Sequence, residues 1–386
     1  MQLKHNIVKM YLLRGVIWFM VAMPIIVLFF QEHGLTLTEI MLLQSIYSLS
    51  VAFFEIPSGY MADLFGRRHT IILGTIFSFI GYLVFSFYDG FYVFALAQVL
   101  IGIGGSLMSG SDSALLYDTL IELKEKDTYT RVEGISYAVG NFSEATAGIL
   151  GGFFAVTSIY LPIYVQTGIL FFSIPIAISL VEPKINRDNK VDRSISAILG
   201  VLKFAMLESK KIRWLIIYSS ALGVATLAMA WFAQPFFKEI NIPLAYFGIL
   251  WAALNYSAGL ASFNAHRITL STDKILFIIS IIIFISFICL SYSMSLFGLF
   301  FIFTIYLLRG IVTPILRNEI NINTYSDIRA TILSVRSFFI RISFAIIAPI
   351  LGYIAEYDSL SSSFYILAFF VGSLLFLSTY KFNRLD

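Results

Sequence analysis

Charged side chains are scarce in this 386-residue sequence. Asp, Glu, Lys and Arg make up 13% of the residues, and 59% are hydrophobic. Because a soluble domain carries about 25% charged residues, this chain lacks the polar surface that water requires. A membrane-spanning helix needs roughly 20 apolar residues, and we place about twelve such stretches near residues 7–30, 37–61, 69–88, 91–119, 133–156, 161–181, 213–237, 244–265, 274–292, 295–317, 330–354 and 361–381.

Residues that carry enzyme chemistry are also missing from the sequence. The single cysteine, Cys289, excludes a disulfide framework, and no Cys/His group has metal-ligand spacing. No Gly-x-x-x-x-Gly-Lys phosphate loop and no Ser/His/Asp arrangement occurs. We therefore expect no enzyme activity, no metal ion and no cofactor.

Lysine and arginine fall almost entirely in alternate loops, starting with the N-terminus, whereas the opposite loops hold only Lys238. Such an excess marks the cytoplasmic side, so both termini are predicted to be cytoplasmic. The net charge of +3 follows from this bias, and no nucleic-acid partner is expected.

The sequence divides into two similar halves. "FFQEHGLTLTEIMLL" from Phe29 aligns without gaps with "FFKEINIPLAYFGIL" from Phe236. Between the halves, the charged segment 183–212 contains an apolar pattern that predicts an amphipathic helix. Repeats of equal orientation imply two six-helix bundles related by a pseudo-two-fold axis along the membrane normal. The predicted segments are a bundle over 1–182, a cytoplasmic linker over 183–212 and a bundle over 213–386.

The loop between spans two and three reads "FEIPSGYMADLFGRRH". It resembles the signature Gly-x-x-x-Asp-x-x-Gly-Arg-Arg of the major facilitator superfamily, with matches at Gly59, Asp63, Gly66, Arg67 and Arg68. This resemblance implies the superfamily's all-α fold of twelve transmembrane helices. It also implies a gate, in which Asp63 accepts bonds from the first amides of span eleven, entered through "SDIRAT" at 326–331.

Two further acids are assigned to this gate. Asp118 lies at the predicted cytoplasmic rim of span four, where the resemblance implies Arg67 as its partner. Glu55 lies four residues before Gly59, the first residue of the signature. The segment around span seven resembles a bacterial drug-exporter branch, but Gln98 replaces an arginine that exporters often carry. Ala147 and Gly148 likewise replace the Gly-Pro pair typical of proton antiporters.

Several ionisable side chains lie inside predicted spans, where each costs about 2.5–3.5 kcal/mol and indicates function by default. They are Arg14, Glu55, Asp112, Glu144, Arg309, Arg336 and Arg341. Asp112 is predicted to face Arg14, either as a static ion pair or as a carboxylate that takes up a proton. Glu144 competes for the proton-binding role, with a hydrogen-bonded acid between spans as its alternative.

Aromatic and amide side chains accompany these charges and suggest a small-molecule cavity. The candidate substrate and coupling residues are Arg14, Trp18, Asp112, Asn141, Glu144, Trp231, Gln234, Asn255, Arg309 and Arg341.

The predicted function is secondary active transport of small organic molecules by alternating access. We favour export of amphipathic compounds coupled to protons. One alternative is a dedicated carrier for an anionic metabolite or siderophore-like carboxylate, which Arg14 and Arg309 would clamp. Another is a membrane receptor that does not transport. We expect a monomer in the bacterial inner membrane, with the bilayer and a small-molecule substrate as its partners.

Overall fold

The computed structural model describes residues 3–184, 195–325 and 328–384, which contain helices and no strand. The side chains of Ile56, Asp63, Thr130, Ala330 and residues 195–198 lie outside this description. In chain order the α-helices are α1 His5–Trp18, α2 Ile26–Glu32, α3 Leu37–Phe65, α4 Arg67–Phe87, α5 Phe91–Met108, α6 Ser111–Glu122, α7 Tyr129–Thr157, α8 Leu161–Ser179, α9 Ile195–Lys203, α10 Lys210–Glu239, α11 Ala245–Asn264, α12 Thr272–Tyr292, α13 Gly298–Ile322, α14 Arg329–Tyr357 and α15 Leu360–Asn383.

Ten helical stretches within the described ranges are long and apolar enough to cross a membrane. Helices α7 and α11, with 29 and 20 residues, occupy the positions of predicted spans five and eight. Polar side chains such as Glu144 and Asn255 make these two helices less apolar than the others. The prediction of an all-α protein with twelve spans is therefore confirmed.

Two predicted spans are broken, where the apolar runs suggested continuous helices. The first span divides into α1 and α2, with Pro24 in the short 3₁₀ turn Met23–Ile25 between them. The fourth divides into α5 and α6 at Gly110, whose φ is +77°. Only glycine adopts this left-handed conformation readily, so the chain changes direction there and a new helix begins at Ser111.

The chain forms two compact units. Unit 1 comprises Met1–Leu35, Ile46–Val191 and Leu244–Ala252, and unit 2 comprises Thr36–Ser45, Asp192–Pro243 and Ala253–Asp386. The first part of α3 thus belongs to unit 2, and the first part of α11 belongs to unit 1. The predicted segments 1–182, 183–212 and 213–386 stay a prediction, and α9 lies within the second of them.

Unit 1 has a buried apolar cluster that joins α1, α4, α6 and α8. Its members are Met10, Leu13, Ile71, Leu115, Leu116, Ala177 and Leu180. Lipid is as apolar as these side chains, so close van der Waals packing between the helices is what stabilises the cluster. Here it places α1 beside α6, and the polar residues that neighbour the cluster in sequence, Arg14 and Asp112, come to face each other.

Unit 2 is organised around α10, whose apolar side chains are buried along most of its length. Phe364 of α15 lies at the centre of a ring cluster, 6.0 Å from Phe232, 6.3 Å from Phe236 and 6.3 Å from Phe287 between centroids. Such tilted and edge-to-face pairs stabilise packing beyond the area they bury. The cluster therefore holds α10, α12 and α15 together.

Candidate functional site

Three charged side chains of unit 1 meet inside the predicted spans. Arg14 Nη1 lies 2.9 Å from Asp112 Oδ2, and Arg14 Nη2 lies 3.7 Å from Glu133 Oε1. The three side chains are only 17%, 22% and 27% exposed. We call Arg14, Asp112 and Glu133 the Arg14 cluster, which joins one cation to two carboxylates.

The start of α6 explains the position of Asp112. Because the helix begins at Ser111, Asp112 lies in its first turn, where free amides and the helix dipole favour a negative charge. Asp112 Oδ1 accepts a hydrogen bond of 2.7 Å from the Ser113 amide. The helix break at Gly110 thus supplies part of the stabilisation of this carboxylate.

Glu133 is the member of the cluster that sequence reasoning missed. Ser113 Oγ donates a 2.7 Å hydrogen bond to Glu133 Oε1, whereas Glu133 Oε2 is buried and has no hydrogen-bond partner among the described residues. Glu133 lies four residues before Tyr137 and eight before Asn141, so helical spacing places the three on one face of α7. This spacing is the signal in the sequence that could have found Glu133.

An aromatic pair lies beside the Arg14 cluster. The Arg14 guanidinium is 5.7 Å from the centre of the Trp18 ring, and Trp18 packs edge-on against Tyr137 at 6.3 Å. A Cβ on Gly140 would lie 3.3 Å from Trp18 ring atoms, so glycine allows α7 to approach this closely. The cluster therefore has a polar side formed by carboxylates and a side formed by aromatic rings.

The predicted gate residues Arg67 and Asp118 form an ion pair. Arg67 Nη1 lies 2.5 Å from Asp118 Oδ2, and both side chains are largely buried. The same guanidinium nitrogen also donates to the Ala114 carbonyl. The pair fastens the start of α4 to α6, and its role as a gate stays a prediction.

A second acid, Glu182, holds the start of α4 and was also missed from the sequence. Its Oε1 accepts from the Arg67 amide at 2.9 Å, and its Oε2 accepts from the Arg68 amide at 2.6 Å. Gly66, with φ +90°, is the residue before this helix. A carboxylate at a helix N-terminus pairs with otherwise unsatisfied amides and with the helix dipole.

We expect Glu182→Ala to lower the apparent melting temperature of the purified protein by several degrees. The variant leaves two helix amides without their charged acceptor, and a hydrogen bond to a charged group contributes about 1.5–3 kcal/mol. Glu125→Ala is the matched control, because Glu125 only faces Lys4 at 3.9 Å on an exposed surface. Equal melting temperatures for the two variants would contradict the capping role of Glu182.

Comparison with known proteins identifies the family. A family model described as Major Facilitator Superfamily matches residues 10–325. The chain belongs to the major facilitator superfamily. This result also confirms the superfamily fold that the signature loop implies.

Individual relatives of this superfamily member are distant. The uncharacterized MFS-type transporter YxaM of Bacillus subtilis (strain 168) is 22% identical over 244 residues, which cover 61% of this chain and 59% of YxaM. The multidrug resistance protein Stp of Mycobacterium tuberculosis is 27% identical over 196 residues, covering 48% of this chain and 34% of Stp. The matches therefore span less than two thirds of either relative.

Solved transporter structures match this chain over nearly its whole length. A crystal structure of a mutant of the nucleoside transporter NupG gives a TM-score of 0.83 at 14% identity, covering 98% of this chain and 100% of that chain. A bacterial homologue of the lysosomal transporter Spinster gives 0.75 at 14% identity, with coverages of 99% and 98%. At these identities the likeness concerns the fold alone.

The remaining predicted residues of unit 1 are placed as follows. Asn141 is exposed, whereas Glu55, Gly59 and Glu144 are half-buried. The Arg68 Nη2 donates to the Ile178 carbonyl at 2.7 Å. Ser326, Asp327 and the side chain of Asp63 lie outside the described residues. The predicted contact of Asp63 with "SDIRAT" therefore stays a prediction.

Unit 2 contains the other half of the predicted set. Gln234 is buried, and Trp231 and Asn255 are half-buried. Arg309 is exposed, with its guanidinium 5.8 Å from the centre of the Tyr306 ring. Arg341 is half-buried, and its Nε has no hydrogen-bond partner among the described residues. The clamp formed by Arg14 and Arg309 stays a prediction, and within unit 1 Arg14 already contacts two carboxylates.

Within the described ranges, no three acidic, histidine or cysteine side chains lie close enough together to hold a metal ion. The expectation that the chain uses neither a metal nor a cofactor stays a prediction.

Proposed function

We propose that this superfamily member is a secondary active transporter that moves small organic molecules by alternating access and uses protons as the coupling ion. The observation that carries the proposal is the composition of the Arg14 cluster. One guanidinium faces two carboxylates within 4 Å, and all three side chains are largely buried. Ionised in full, the cluster has a charge of −1 in a region of low dielectric.

A proton relieves this excess charge. Two carboxylates that share one site do not both ionise freely, because each raises the cost of the other's charge. Glu133 Oε2, which is buried without a hydrogen-bond partner among the described residues, is an atom that can accept this proton. Binding and release of one proton switches the cluster between neutral and negative, which is what a coupling site must do.

Export of amphipathic compounds is the transport mode that we propose. The rings of Trp18 and Tyr137 beside the cluster suit an apolar body with a polar group. The resistance function in the name of the relative Stp supports export. Aromatic surface next to titratable groups is typical of small-molecule cavities.

Transport by the reconstituted protein tests this proposal. Proteoliposomes are given a pH gradient and a panel of fluorescent amphipathic cations, neutral compounds and carboxylates. At least one compound is expected to accumulate against its gradient, and a protonophore is expected to abolish that accumulation. Accumulation that persists after the pH gradient has collapsed would exclude proton coupling, and binding without flux would indicate a receptor.

A further inference from the structure

His33 lies at the end of α2 and contacts an acidic side chain of a neighbouring loop. The His33 side chain is 8% exposed, and its Nε2 lies 2.9 Å from Oδ1 of Asp89, which stands between α4 and α5. Its Nδ1 lies 2.8 Å from the Phe29 carbonyl oxygen. Both ring nitrogens of this largely buried side chain therefore face an oxygen atom.

These two contacts determine where the protons of the pair lie. A carbonyl oxygen can only accept a hydrogen bond, so Nδ1 must carry a hydrogen. In a neutral imidazole Nε2 is then an acceptor, and it cannot bond to an ionised carboxylate, which also only accepts. One further proton must therefore lie between His33 and Asp89. Because the Asp89 side chain is 79% exposed and water stabilises its charge, we assign this proton to His33, as an imidazolium.

The surroundings of the His33 ring suit a cation. The ring centroids of Phe29, Phe94 and Tyr160 lie 4.3, 5.3 and 5.3 Å from that of His33. At such distances a cation is attracted by the electron-rich faces of aromatic rings. The Phe29 carbonyl belongs to the last turn of α2, where a positive side chain can bond the free carbonyl groups of a helix end. Rings, carbonyl and carboxylate thus all favour the charged form.

Two other histidines provide an internal comparison. His69 Nδ1 and His266 Nδ1 each lie 2.9 Å from a carbonyl oxygen at the end of a helix, those of Phe65 and Phe263. Both side chains are exposed, and neither forms an ion pair with a described residue. The carboxylate partner and the burial therefore distinguish His33 from histidines that have the same local hydrogen bond.

A cavity beside the pair gives His33 access to water. It has a volume of about 580 Å³, and the charged and titratable side chains that line it are Glu32, His33, Asp89, Tyr160 and Tyr164. It lies at the end of α2, the loop before α5 and the start of α8, on the side that is poor in lysine and arginine and is therefore predicted to face outward. His33 can thus exchange its proton with the medium on that side.

We propose that His33 is a second proton-binding site, separate from the Arg14 cluster, and that its proton fastens the α4–α5 loop to the end of α2. While His33 is charged, it holds Asp89. Once the proton is lost, Nε2 and the carboxylate are two acceptors, so the contact breaks and the loop is released. Histidine ordinarily changes its charge between about pH 5 and pH 8. The contact is therefore present in an acidic outer medium and is lost as the pH rises.

Nuclear magnetic resonance of the purified protein in nanodiscs measures this proton directly. The protein is labelled with 15N-histidine and titrated from acidic to alkaline pH. The chain has four histidines, His5, His33, His69 and His266, and His33→Gln identifies the His33 signals. Asp89→Asn keeps the shape of the acid without its charge. It is expected to weaken proton binding by His33 about fivefold, as for a partly exposed ion pair, and to leave His266 unchanged.

Hydrogen–deuterium exchange measures whether the proton fastens the loop. Exchange of segment 86–92 is compared between the parent and His33→Gln at equal pH, so that the intrinsic effect of pH on exchange cancels. At acidic pH the segment is expected to exchange several-fold faster in His33→Gln, and at alkaline pH at the same rate as in the parent. His266→Gln is the matched control and is expected to equal the parent at both pH values.

Two results overturn the proposal. If His33 binds its proton equally tightly in the parent and in Asp89→Asn, the carboxylate does not hold the proton. If exchange of segment 86–92 in His33→Gln equals that of the parent at acidic pH, the proton does not fasten the loop. Neither measurement involves a transported substrate, so the inference does not rest on the proposed transport function.

Discussion

Asp112→Asn is expected to abolish proton-driven accumulation while leaving exchange of labelled for unlabelled substrate intact. The amide keeps the shape of the carboxylate but cannot take up a proton, and Arg14 then retains Glu133, at 3.7 Å, as its single counterion. One proton per substrate gives about tenfold accumulation for each pH unit of gradient, since one unit is 1.36 kcal/mol. We expect the accumulation ratio in the variant to fall to about one in proteoliposomes with a one-unit gradient.

Two further variants locate the proton. Glu133→Gln is expected to reproduce the loss, because it also removes one of the two carboxylates that share the Arg14 guanidinium, and with it the excess negative charge of the cluster. Glu144→Gln tests the competing acid of the same helix and is expected to retain accumulation. If accumulation survives in Asp112→Asn and Glu133→Gln but is lost in Glu144→Gln, the coupling site is Glu144 and the proposed role of the Arg14 cluster is wrong.

Gly151→Ala is expected to destabilise the protein strongly, although it adds a single methyl group. A Cβ at this position of α7 would lie 2.0 Å from the Val21 carbonyl oxygen and 3.0 Å from its carbonyl carbon. Val21 is fully buried in the break between α1 and α2, and a backbone carbonyl cannot rotate away as a side chain does. Overpacking of this kind costs about 1–3 kcal/mol and sometimes more.

Gly168→Ala provides the control for this effect. Gly168 lies inside α8, where an added Cβ would meet nothing within 4 Å. Alanine is favoured over glycine in a helix interior by about 0.5–1 kcal/mol, so this variant is expected to be as stable as the parent or more so. Melting temperatures measured in one detergent compare the pair, and equal values would mean that α7 can move away from Val21 at little cost.

Local patterns were sufficient to predict the spans and the signature loop. Hydropathy located helices such as α12 and α15 to within a few residues, because a membrane helix needs a long apolar run. The pairing of Arg67 with Asp118 followed from a family resemblance. The structure also brings Arg14 and Asp112 together, as the sequence predicted.

The features that were missed depend on contacts distant in sequence or on backbone geometry. Glu182 reaches the start of α4 across 115 positions, and no periodicity within one helix reports such a contact. Glu133 stood at the edge of a predicted span, so it was not counted among the buried charges. The break at Gly110 lies in an apolar run, where a single glycine is tolerated in a membrane helix and does not by itself predict an end.

The short helix α6 carries both of its aspartates on one stiff rod. Asp112 and Asp118 lie six residues apart in a helix of 12 residues, so about 9 Å of regular helix separates their backbones. One end holds Arg14 of α1, and the other holds Arg67 of α4. Because Gly110 separates this rod from α5, a tilt of α6 about Gly110 would move Asp118, eight residues away, further than Asp112, two residues away, and so would strain the pair with Arg67 before the pair with Arg14.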